Sequence, residues 1–261
     1  MTQNAEYLRH SGKTGFITGG GSGIGRQTAL TLASQGAAMV VTDVNAETAA
    51  ETVSRISEAG GRAIAAVVDV RSRSQIQDAV RLGVESFGEF DLLVNNAGLV
   101  TDHSLNTLTE DAWDLVLDVN LKGQWLVAQE ISTSMIRSGG GAIVNLSTVE
   151  ASVVVTSGNS AQPHYNAAKG GVPMLTKALA VELAPNNIRV NCVAPGPIAT
   201  DFFDLEGVTS PEAKSFMDQR LLVQRIGEPD DIARAISWLL SEEASWIDGI
   251  QLPVDGGWLT R

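Results

Sequence analysis

Tyr165 and Lys169 are the residues whose types and spacing could carry chemistry in this chain. Four residues apart on a helix, their side chains share one face. A phenol is a poor base because its unperturbed pKa is about 10, and a nearby ammonium favours the phenolate and lowers that pKa. Such a pair can take a proton from an alcohol or give one to a carbonyl. The same spacing also occurs on solvated helix faces, so the rest of the chain must decide between the two interpretations.

The elements that must position this pair alternate between apolar runs and segments of helical period. Apolar runs that alternate with helices predict a parallel sheet with helices on both faces, and right-handed crossovers make it a doubly wound α/β fold. The predicted strands are 14–18, 37–43, 63–69, 91–95, 142–146, 189–193 and 250–254. The predicted helices lie near 24–35, 46–59, 72–87, 109–137, 163–184 and 229–241. No linker or repeat interrupts the pattern, so we predict one domain over 1–261, with a polar N-terminal extension at 1–11.

A glycine-rich loop lies between the first predicted strand and the first predicted helix. Gly19, Gly23 and Gly25 have the spacing G-x-x-x-G-x-G. Glycine lets the backbone approach a pyrophosphate, and the start of the helix offers unpaired N–H groups and a positive dipole end. In this context the loop predicts a dinucleotide site rather than a bare turn. The loop residues predicted to contact the dinucleotide are Gly19, Gly21, Ser22, Gly23, Ile24 and Gly25.

Asp43 ends the second predicted strand and bears on the choice of dinucleotide. Its carboxylate can accept hydrogen bonds from both hydroxyls of the adenosine ribose, and it would repel a 2′-phosphate. No Arg or Lys stands beside it in the stretch 42–45, where Val44 follows. The sequence therefore predicts NAD in preference to NADP. The other role open to Asp43, an N-cap for the next helix, suits Asn45 better.

Composition excludes several classes of function. The net charge is −12, which argues against a nucleic-acid binder because phosphates would be repelled. No run of about 18 apolar residues predicts a membrane span, and the N-terminus lacks the apolar core of a signal peptide. Cys192 is the single cysteine, so we expect a buried thiol in a cytoplasmic protein. His10, His103 and His164 lack metal-ligand spacing, and no metal site is predicted.

Taken together, these motifs make the chain resemble the short-chain dehydrogenase/reductase family, in its classical NAD(P)-dependent branch. The match runs from about residue 12 to Gly257. It implies a Rossmann-type domain and an NAD-dependent alcohol dehydrogenase or carbonyl reductase, which moves a hydride between a secondary alcohol or ketone and the nicotinamide. Outside the glycine loop, the matching residues are Asp69, Val70, Asn95, Asn96, Ala97, Gly98, Asn120, Tyr165, Lys169, Pro195 and Gly196.

The resemblance also implies a role for each matching residue. Tyr165 is implied as the general acid/base, and Lys169 as the group that lowers the tyrosine pKa and holds the nicotinamide ribose. Asn120 is implied to kink its helix and to hold a water that leads from Lys169 to solvent. Asp69 and Val70 are implied to contact the adenine. The residues implied to flank the cofactor or line its nicotinamide side are Asn96, Ala97, Gly98, Pro195, Gly196, Ile198 and Thr200.

The hydroxyl that would bind the substrate oxygen is open to two assignments. The family's usual serine position falls on Thr148, which keeps the hydroxyl and adds a methyl group. Ser147 is the alternative, although it would point to the other face if the strand continues. Either hydroxyl could instead only cap a turn.

The substrate pocket is expected to involve two segments. The loop 201–224 includes a short helix near 211–222 and the apolar Phe202 and Phe203, and it could close as a lid. The stretch 149–162 is longer than the family's usual connection and forms either a pocket wall or a passive surface loop. Glu150 within it either meets a polar substrate or is a solvated turn carboxylate. Pro173 removes an N–H from the following helix and predicts a local bend.

The family resemblance implies a homotetramer in which the helices near 109–137 and 163–184 pair between subunits. The apolar residues that could supply contacts there, or only core packing, are Trp113, Leu117, Leu121, Leu126, Val172, Leu175 and Leu179. Two rival functions remain. A non-catalytic dinucleotide-binding or redox-sensing module would be expected to lack Tyr165, Lys169 or Asn120. An NADP-dependent acyl-carrier ketoreductase is disfavoured by Asp43 and by the acidic surface.

Overall fold

The computed structural model describes residues 8–155, 160–200 and 211–261, and for 211–214 it describes the backbone only. Within these ranges the strands are β1 (Thr14–Thr18), β2 (Ala38–Asp43), β3 (Arg62–Val67), β4 (Leu92–Asn95), β5 (Gly141–Leu146), β6 (Ile188–Pro195) and β7 (Gln251–Val254). The helices are α1 (Gly23–Ser34), α2 (Ala46–Glu58), α3 (Arg73–Phe87), α4 (Glu110–Leu117), α5 (Gly123–Ser138), α6 (Pro163–Leu183), α7 (Pro211–Arg220) and α8 (Pro229–Leu240). All the predicted strands and helices are present.

The strands form one parallel sheet in the order β3-β2-β1-β4-β5-β6-β7. The direction of winding reverses between β1 and β4, and in open α/β sheets the crevice at such a reversal is where ligands bind. The glycine loop follows β1 and the Asn95-Asn96 pair closes β4, so both motifs lie at this crevice. The predicted doubly wound fold is therefore confirmed.

Successive residues along the strands bury their side chains in two separate cores. Phe16 and Val40 pack on one face of the sheet with α3, α5 and α6, while Ile17 and Val41 pack on the other face with α1, α2 and α8. This alternation is the period-two geometry of a strand, and burying each large apolar side chain stabilises the fold by about 1.5–3 kcal/mol. Packing on both faces holds the strands in register, so their carboxyl ends lie together along one edge of the sheet.

Three local features differ from the sequence prediction or refine it. β3 ends at Val67, so Asp69 and Val70 lie in the following loop and not at the strand end. The predicted helix over 109–137 is divided by a π-helical turn at Asp118–Lys122. α6 continues through Pro173 as one helix from Pro163 to Leu183.

The polar extension predicted at 1–11 does not stand apart from the fold where it is described. His10 is buried, and its Nε2 lies 3.1 Å from Ser237 Oγ on α8. Burial lowers the pKa of His10 to about 4. Cys192 is fully buried as predicted, and burial raises the pKa of its thiol to about 12. None of the described helices is long and apolar enough to cross a membrane.

Candidate active site

Tyr165 and Lys169 lie one turn apart on α6, with 7% and 5% of their surfaces exposed. The Lys169 Nζ atom is 5.9 Å from the centre of the Tyr165 ring. Both side chains therefore belong to the interior of the sheet edge rather than to a solvated helix face. The structure therefore excludes the alternative that Tyr165 and Lys169 are only a solvent-exposed pair on a helix surface.

The Leu146 carbonyl oxygen at the end of β5 fixes the Lys169 ammonium. Lys169 Nζ donates to it at 3.0 Å, and Gln124 Nε2 donates to the same oxygen at 3.0 Å. Burial lowers the pKa of Lys169 to about 8, so the ammonium form still predominates at neutral pH. The Lys169 side chain therefore carries a positive charge at neutral pH, and its hydrogen bond to Leu146 holds that charge in place.

Ser147 has a structural partner that explains its orientation. Its hydroxyl donates to the Lys169 backbone carbonyl at 2.9 Å. In a regular helix that carbonyl would accept from the N–H four residues later, which is position 173, and proline has no N–H. Pro173 thus leaves the Lys169 carbonyl open, and Ser147, directly after β5, satisfies it. The hydroxyl of Ser147 is therefore committed to holding α6 against the sheet.

Thr148, in contrast, faces the tyrosine. A hydrogen bond between its hydroxyl and Tyr165 acts to lower the pKa of the phenol. The Thr148 Oγ1 atom also accepts from the Glu150 N–H at 3.4 Å, at the start of a short turn (Val149–Ala151). Of the two hydroxyls singled out by the sequence, Thr148 is the one that meets the phenol.

The pKa of Tyr165 is raised above its ordinary value, opposite in direction to the sequence expectation. Burial is the largest cause because it disfavours the charged phenolate, and the Glu150 carboxylate raises the pKa further by repulsion. The hydrogen bond from Thr148 opposes both. The expectation that Lys169 alone would lower this pKa is wrong for the protein by itself.

Glu150 is half-buried beside Tyr165 and is not a solvated turn carboxylate. Burial raises the pKa of its carboxyl to about 7, and a hydrogen bond from Asn166 acts in the other direction. Asn166 Nδ2 lies 3.4 Å from Glu150 Oε2. The charge on Glu150 thus changes near neutral pH within reach of the phenol.

Asn120 is fully buried in the π-helical turn, where the resemblance implied a kinked helix. Its Nδ2 donates to the Val116 carbonyl at 2.9 Å and to the Leu99 carbonyl at 2.7 Å. Its Oδ1 accepts from the Leu99 N–H at 3.3 Å. The side-chain amide therefore replaces a backbone hydrogen bond of the helix and ties the loop after β4 to it.

A buried polar network behind the site was not singled out by the sequence prediction. Asn95 donates to Asn145 Oδ1 at 2.9 Å, and Asn145 donates to Thr176 Oγ1 at 3.0 Å. Gln124 also donates to the Asn120 carbonyl at 3.0 Å. Gln124 follows Asn120 by four residues, so the shared helix face was the available signal.

The glycine loop is tied to the loop after β4 by side chains. Thr18 Oγ1 accepts from the backbone N–H groups of Asn96 and Ala97, both at 3.0 Å. Asn96 Nδ2 donates to the Gly19 carbonyl at 2.9 Å. A Cβ atom at Gly25 would lie only 2.0 Å from that same carbonyl oxygen, so only glycine allows α1 to start here. Gly19 itself has a φ of 61°.

Asp43 lies against this loop. Its Oδ2 accepts from the Gly21 N–H at 2.9 Å, and its Oδ1 accepts from the Asn45 N–H at 3.0 Å. Asn45 caps α2 as predicted, through its own Oδ1. A Cβ at Gly21 would come within 2.8 Å of Asp43 Oδ2. A backbone cradle with a carboxylate at its rim fits the pyrophosphate and adenosine ribose of a dinucleotide.

Residues predicted around the nicotinamide side converge on the same crevice. A Cβ at Gly23, in α1, would lie 3.3 Å from Thr200 Cγ2, so the chain after β6 meets the glycine loop. A Cβ at Gly98 would lie 2.8 Å from Asn120 Oδ1 and 3.4 Å from Lys169 Nζ. Gly98, in the loop after β4, thus lies against both Asn120 and Lys169.

The other residues predicted to contact the cofactor differ in exposure and in whether they already have a partner within the protein. Val44 is 68% exposed next to Asp43, and Val70 is buried. Asp69 is already paired with Arg71 through both carboxylate oxygens, and this pairing holds its pKa below the usual range. Pro195 ends β6, followed by Gly196, and Ile198 is buried beside them.

Part of the expected substrate pocket lies outside the described residues. This applies to Phe202, Phe203 and the rest of 201–210, and to 156–159. The short helix expected near 211–222 is present as α7. On the other side of the site, the rings of His103 and His164 lie 6.0 Å apart, and His164 Nε2 is 2.7 Å from Thr101 Oγ1.

Comparisons with known proteins agree with this geometry. A family model described as enoyl-(acyl carrier protein) reductase matches residues 19–259. Subunit BbsD of a hydroxy(phenyl)methylsuccinyl-CoA dehydrogenase from Thauera aromatica is 39% identical, with 94% of this chain and 96% of the relative covered. A 3-oxoacyl-(acyl-carrier-protein) reductase FabG from Thermotoga maritima is also 39% identical, with coverages of 96% and 99%.

A solved structure aligns over nearly the whole fold. It is a 7α-hydroxysteroid dehydrogenase in complex with NADH and 7-oxo glycochenodeoxycholic acid. Its sequence is 34% identical, 98% of each chain is covered, and the TM-score is 0.89.

The raised pKa of Tyr165 leads to a direct prediction. The chain has two tyrosines, so Tyr7→Phe leaves Tyr165 as the sole phenol. We expect its phenolate absorbance to appear at higher pH than that of free tyrosine, and Glu150→Gln to move the transition to lower pH by removing a negative charge. The measurement is an ultraviolet pH titration without dinucleotide, with circular dichroism as a check on folding.

Glu182→Gln on the far end of α6 is the matched control for this titration and should leave the transition where it is. Titration of Tyr165 at or below the pH of free tyrosine would contradict the prediction, as would equal shifts in the two Glu→Gln variants.

Proposed function

Because the chain belongs to the short-chain dehydrogenase/reductase family, we propose that it is an NAD-dependent oxidoreductase that moves a hydride between a secondary alcohol or ketone and the nicotinamide. Tyr165 is the general acid/base of this reaction. The observation that carries the proposal is the close approach at Gly98, where the wall of the dinucleotide cradle meets Asn120 and Lys169. A cofactor in the crevice would therefore lie beside the buried phenol.

The chemistry divides between the cofactor and the chain. Bound oxidised dinucleotide supplies the hydride acceptor and a positive charge. In oxidation, Thr148 donates a hydrogen bond to the substrate oxygen, and the phenolate form of Tyr165 takes the hydroxyl proton as the C–H hydride leaves for that acceptor. In reduction the neutral phenol gives the proton to the carbonyl oxygen. Lys169 would hold the ribose of the nicotinamide, and its charge stabilises the phenolate.

The buried position of the phenol explains why charge matters here. Burial and Glu150 keep Tyr165 protonated in the protein alone. A positive charge close to the phenol has a large effect in a site from which water is excluded. Lys169, which keeps its charge at neutral pH, is the chain's own contribution to that effect.

We propose NAD rather than NADP as the cofactor because of Asp43. Its two oxygens are fixed by the Gly21 and Asn45 N–H groups at the rim of the cradle. Arg26, the nearest cation on α1, is engaged by Glu51 and by the Gly21 carbonyl. A 2′-phosphate on the adenosine ribose would therefore face the Asp43 carboxylate. Arg26, the nearest cation on α1, is already paired with Glu51 and would not balance that repulsion.

A second candidate is a 3-oxoacyl-(acyl-carrier-protein) reductase, which Asp43 and the net charge of this chain oppose. The name of the Thermotoga maritima relative favours it. The net charge of −12 suits an acidic carrier protein poorly, since like charges slow and weaken association. A thioester substrate would still use the same tyrosine, so turnover of free ketones against carrier-bound ones separates the two candidates.

A homotetramer in the cytoplasm is the assembly and location we propose. Three of the residues expected at the subunit contact, Leu126, Val172 and Leu179, are buried in the core of the chain itself. Met174 and Val181 on α6 instead expose 63% and 79% of their surfaces and are available for pairing. Light scattering at micromolar concentration should give the mass of four chains, and a monomer would overturn the proposal.

Replacing the reactive hydroxyls tests the mechanism. Tyr165→Phe should lower kcat by about 10²–10⁴-fold, the range for losing a general acid/base, while NADH binding followed by fluorescence is retained. Thr148→Ala should lower kcat by about 10²–10³-fold, because it removes a donor to the developing charge on the substrate oxygen.

Ser147→Ala is the matched control for the hydroxyl assignment. It should lower the free energy of unfolding by about 1 kcal/mol through loss of a buried hydrogen bond and lower kcat far less than Thr148→Ala does, because the Ser147 hydroxyl contacts α6 and not the substrate. Full turnover in Thr148→Ala together with loss in Ser147→Ala would reverse the assignment.

Cofactor preference can be measured through kcat/KM. We expect NADH to exceed NADPH by at least about tenfold, since a phosphate beside a carboxylate costs more than about 1.4 kcal/mol. Asp43→Asn should narrow the ratio, whereas Glu47→Gln, on the first turn of α2, should leave it unchanged. Equal kcat/KM for the two cofactors in the unmodified protein would rule out the role given to Asp43.

A further inference from the structure

A pocket of about 260 Å³ lies beyond the turn that carries Thr148. It suits a ring or a short chain, because pockets that enclose a whole drug-sized ligand span roughly 300–1,000 Å³. Nothing in the mechanism above uses it. The residues that line it are Val153, Val154, Val155, Phe216, Arg220 and Trp258.

The pocket adjoins the turn that carries Thr148 through a buried apolar cluster. Val149, which follows Thr148, is buried in one apolar cluster with Leu221 and Trp258. Val155 and Met217 pack against the same cluster. A substrate whose oxygen is held by Thr148 could therefore extend its far end along apolar side chains into this pocket.

The guanidinium of Arg220 is the charged group among the residues that line this otherwise apolar pocket, and it is positive. Its guanidinium carbon lies 5.7 Å from the centre of the Phe216 ring and 5.7 Å from that of Trp258. Stacking on aromatic rings leaves the edge of a guanidinium free to donate. Its Nη1 donates to the Arg261 backbone oxygen at 2.9 Å, and within residues 8–155, 160–200 and 211–261 its Nε and Nη2 make no hydrogen bond.

Arg220 also differs from most arginines of this acidic chain. In the part of the chain that the structure describes, no Asp or Glu side chain pairs with it. The arginines that do form ion pairs with carboxylates are Arg9, Arg26, Arg55, Arg71, Arg73, Arg81, Arg137, Arg225 and Arg234. A guanidinium with no Asp or Glu partner in the described part of the chain is suited to receive a carboxylate from a ligand.

The indole of Trp258 supplies a second observation. The ring is 2% exposed and lines the pocket. Its Nε1 is buried and has no hydrogen-bond acceptor among residues 8–155, 160–200 and 211–261. An unpartnered buried donor is unfavourable in the protein alone. The indole thus offers the pocket an apolar face, while its Nε1 donor is enclosed by the protein.

We propose that this pocket binds the far end of the substrate, an apolar chain or ring that ends in a carboxylate held by Arg220. The proposal rests on the proposed function and specifies its substrate class as oxo acids and hydroxy acids whose reactive carbon is separated from the carboxylate by an apolar spacer. The flat guanidinium fork matches a carboxylate in two parallel hydrogen bonds. A pocket of this volume leaves no room for an anion of nucleotide size.

The test compares acids with their esters. Oxo-hexanoate, oxo-octanoate and oxo-decanoate, each with its ketone at the penultimate carbon, are assayed with NADH beside their methyl esters and a broad panel of neutral ketones and alcohols. At the chain length that reaches Arg220, kcat/KM for the acid should exceed that for the ester by about 10- to 100-fold, the worth of a hydrogen bond to a charged group. The difference should lie mainly in KM.

Variants connect the preference to the residue. Arg220→Gln should reduce the acid-to-ester ratio of kcat/KM to about one, and Arg220→Lys, which keeps the charge without the fork, should retain part of it. Arg81→Gln, an exposed arginine on α3, should leave the ratio unchanged.

The outcomes separate this site from the function. Absence of turnover across the whole panel would overturn the proposed function itself. Turnover of neutral ketones with no preference for acids at any length would overturn only the Arg220 site. The same holds if Arg220→Gln lowers kcat/KM for acids and esters equally, because that is the result of a packing role.

Discussion

Two backbone carbonyls, those of Leu146 and Lys169, hold the reactive helix in place, and the rest of the site depends on them. The Leu146 oxygen receives the Lys169 ammonium, while the Lys169 oxygen receives the Ser147 hydroxyl. The two bonds run in opposite directions between β5 and α6 and fix both the height and the rotation of the helix. Pro173 makes the second bond available, because it cannot donate to the Lys169 carbonyl.

This clamp gives Tyr165 an environment that favours its neutral form. The phenol is buried, the nearest carboxyl is Glu150, and the Lys169 charge is shared with a carbonyl. In the proposed reaction, the positive charge of the bound oxidised cofactor would oppose this preference for the neutral phenol, whereas the Glu150 carboxylate adds to it.

Local sequence patterns were sufficient to predict the frame of the molecule. Apolar runs located the strands, and glycine spacing located the loop after β1, because both signals depend on residues close in sequence. Asn45 was correctly predicted as the cap of α2 for the same reason. The position of Tyr165 and Lys169 on one helix face also followed from spacing alone.

Features that depend on packing between distant segments were not accessible in this way. The direction of the Tyr165 pKa shift results from burial and from Glu150, whose proximity is a product of the folded turn. Gln124 donates a hydrogen bond to the Leu146 carbonyl in β5, which is distant in sequence. Arg220 stacks on Trp258, which lies well beyond α7 along the chain. Each of these contacts joins segments that are distant in sequence, so the residue pattern of a single segment could not predict it.

The π-helical turn at Asp118–Lys122 has a consequence for how this chain tolerates changes in length. A π turn holds one residue more than an α turn of the same helix, so loss of a single codon here would leave a helix that winds regularly. Because the extra residue is confined to this one turn, the downstream side chains of α5 would keep their faces. What would be lost is the widened turn in which the Asn120 amide bonds both the Val116 and the Leu99 carbonyl. The segment can therefore be shortened with regular helical hydrogen bonding restored, but at the expense of the link between this helix and the loop after β4.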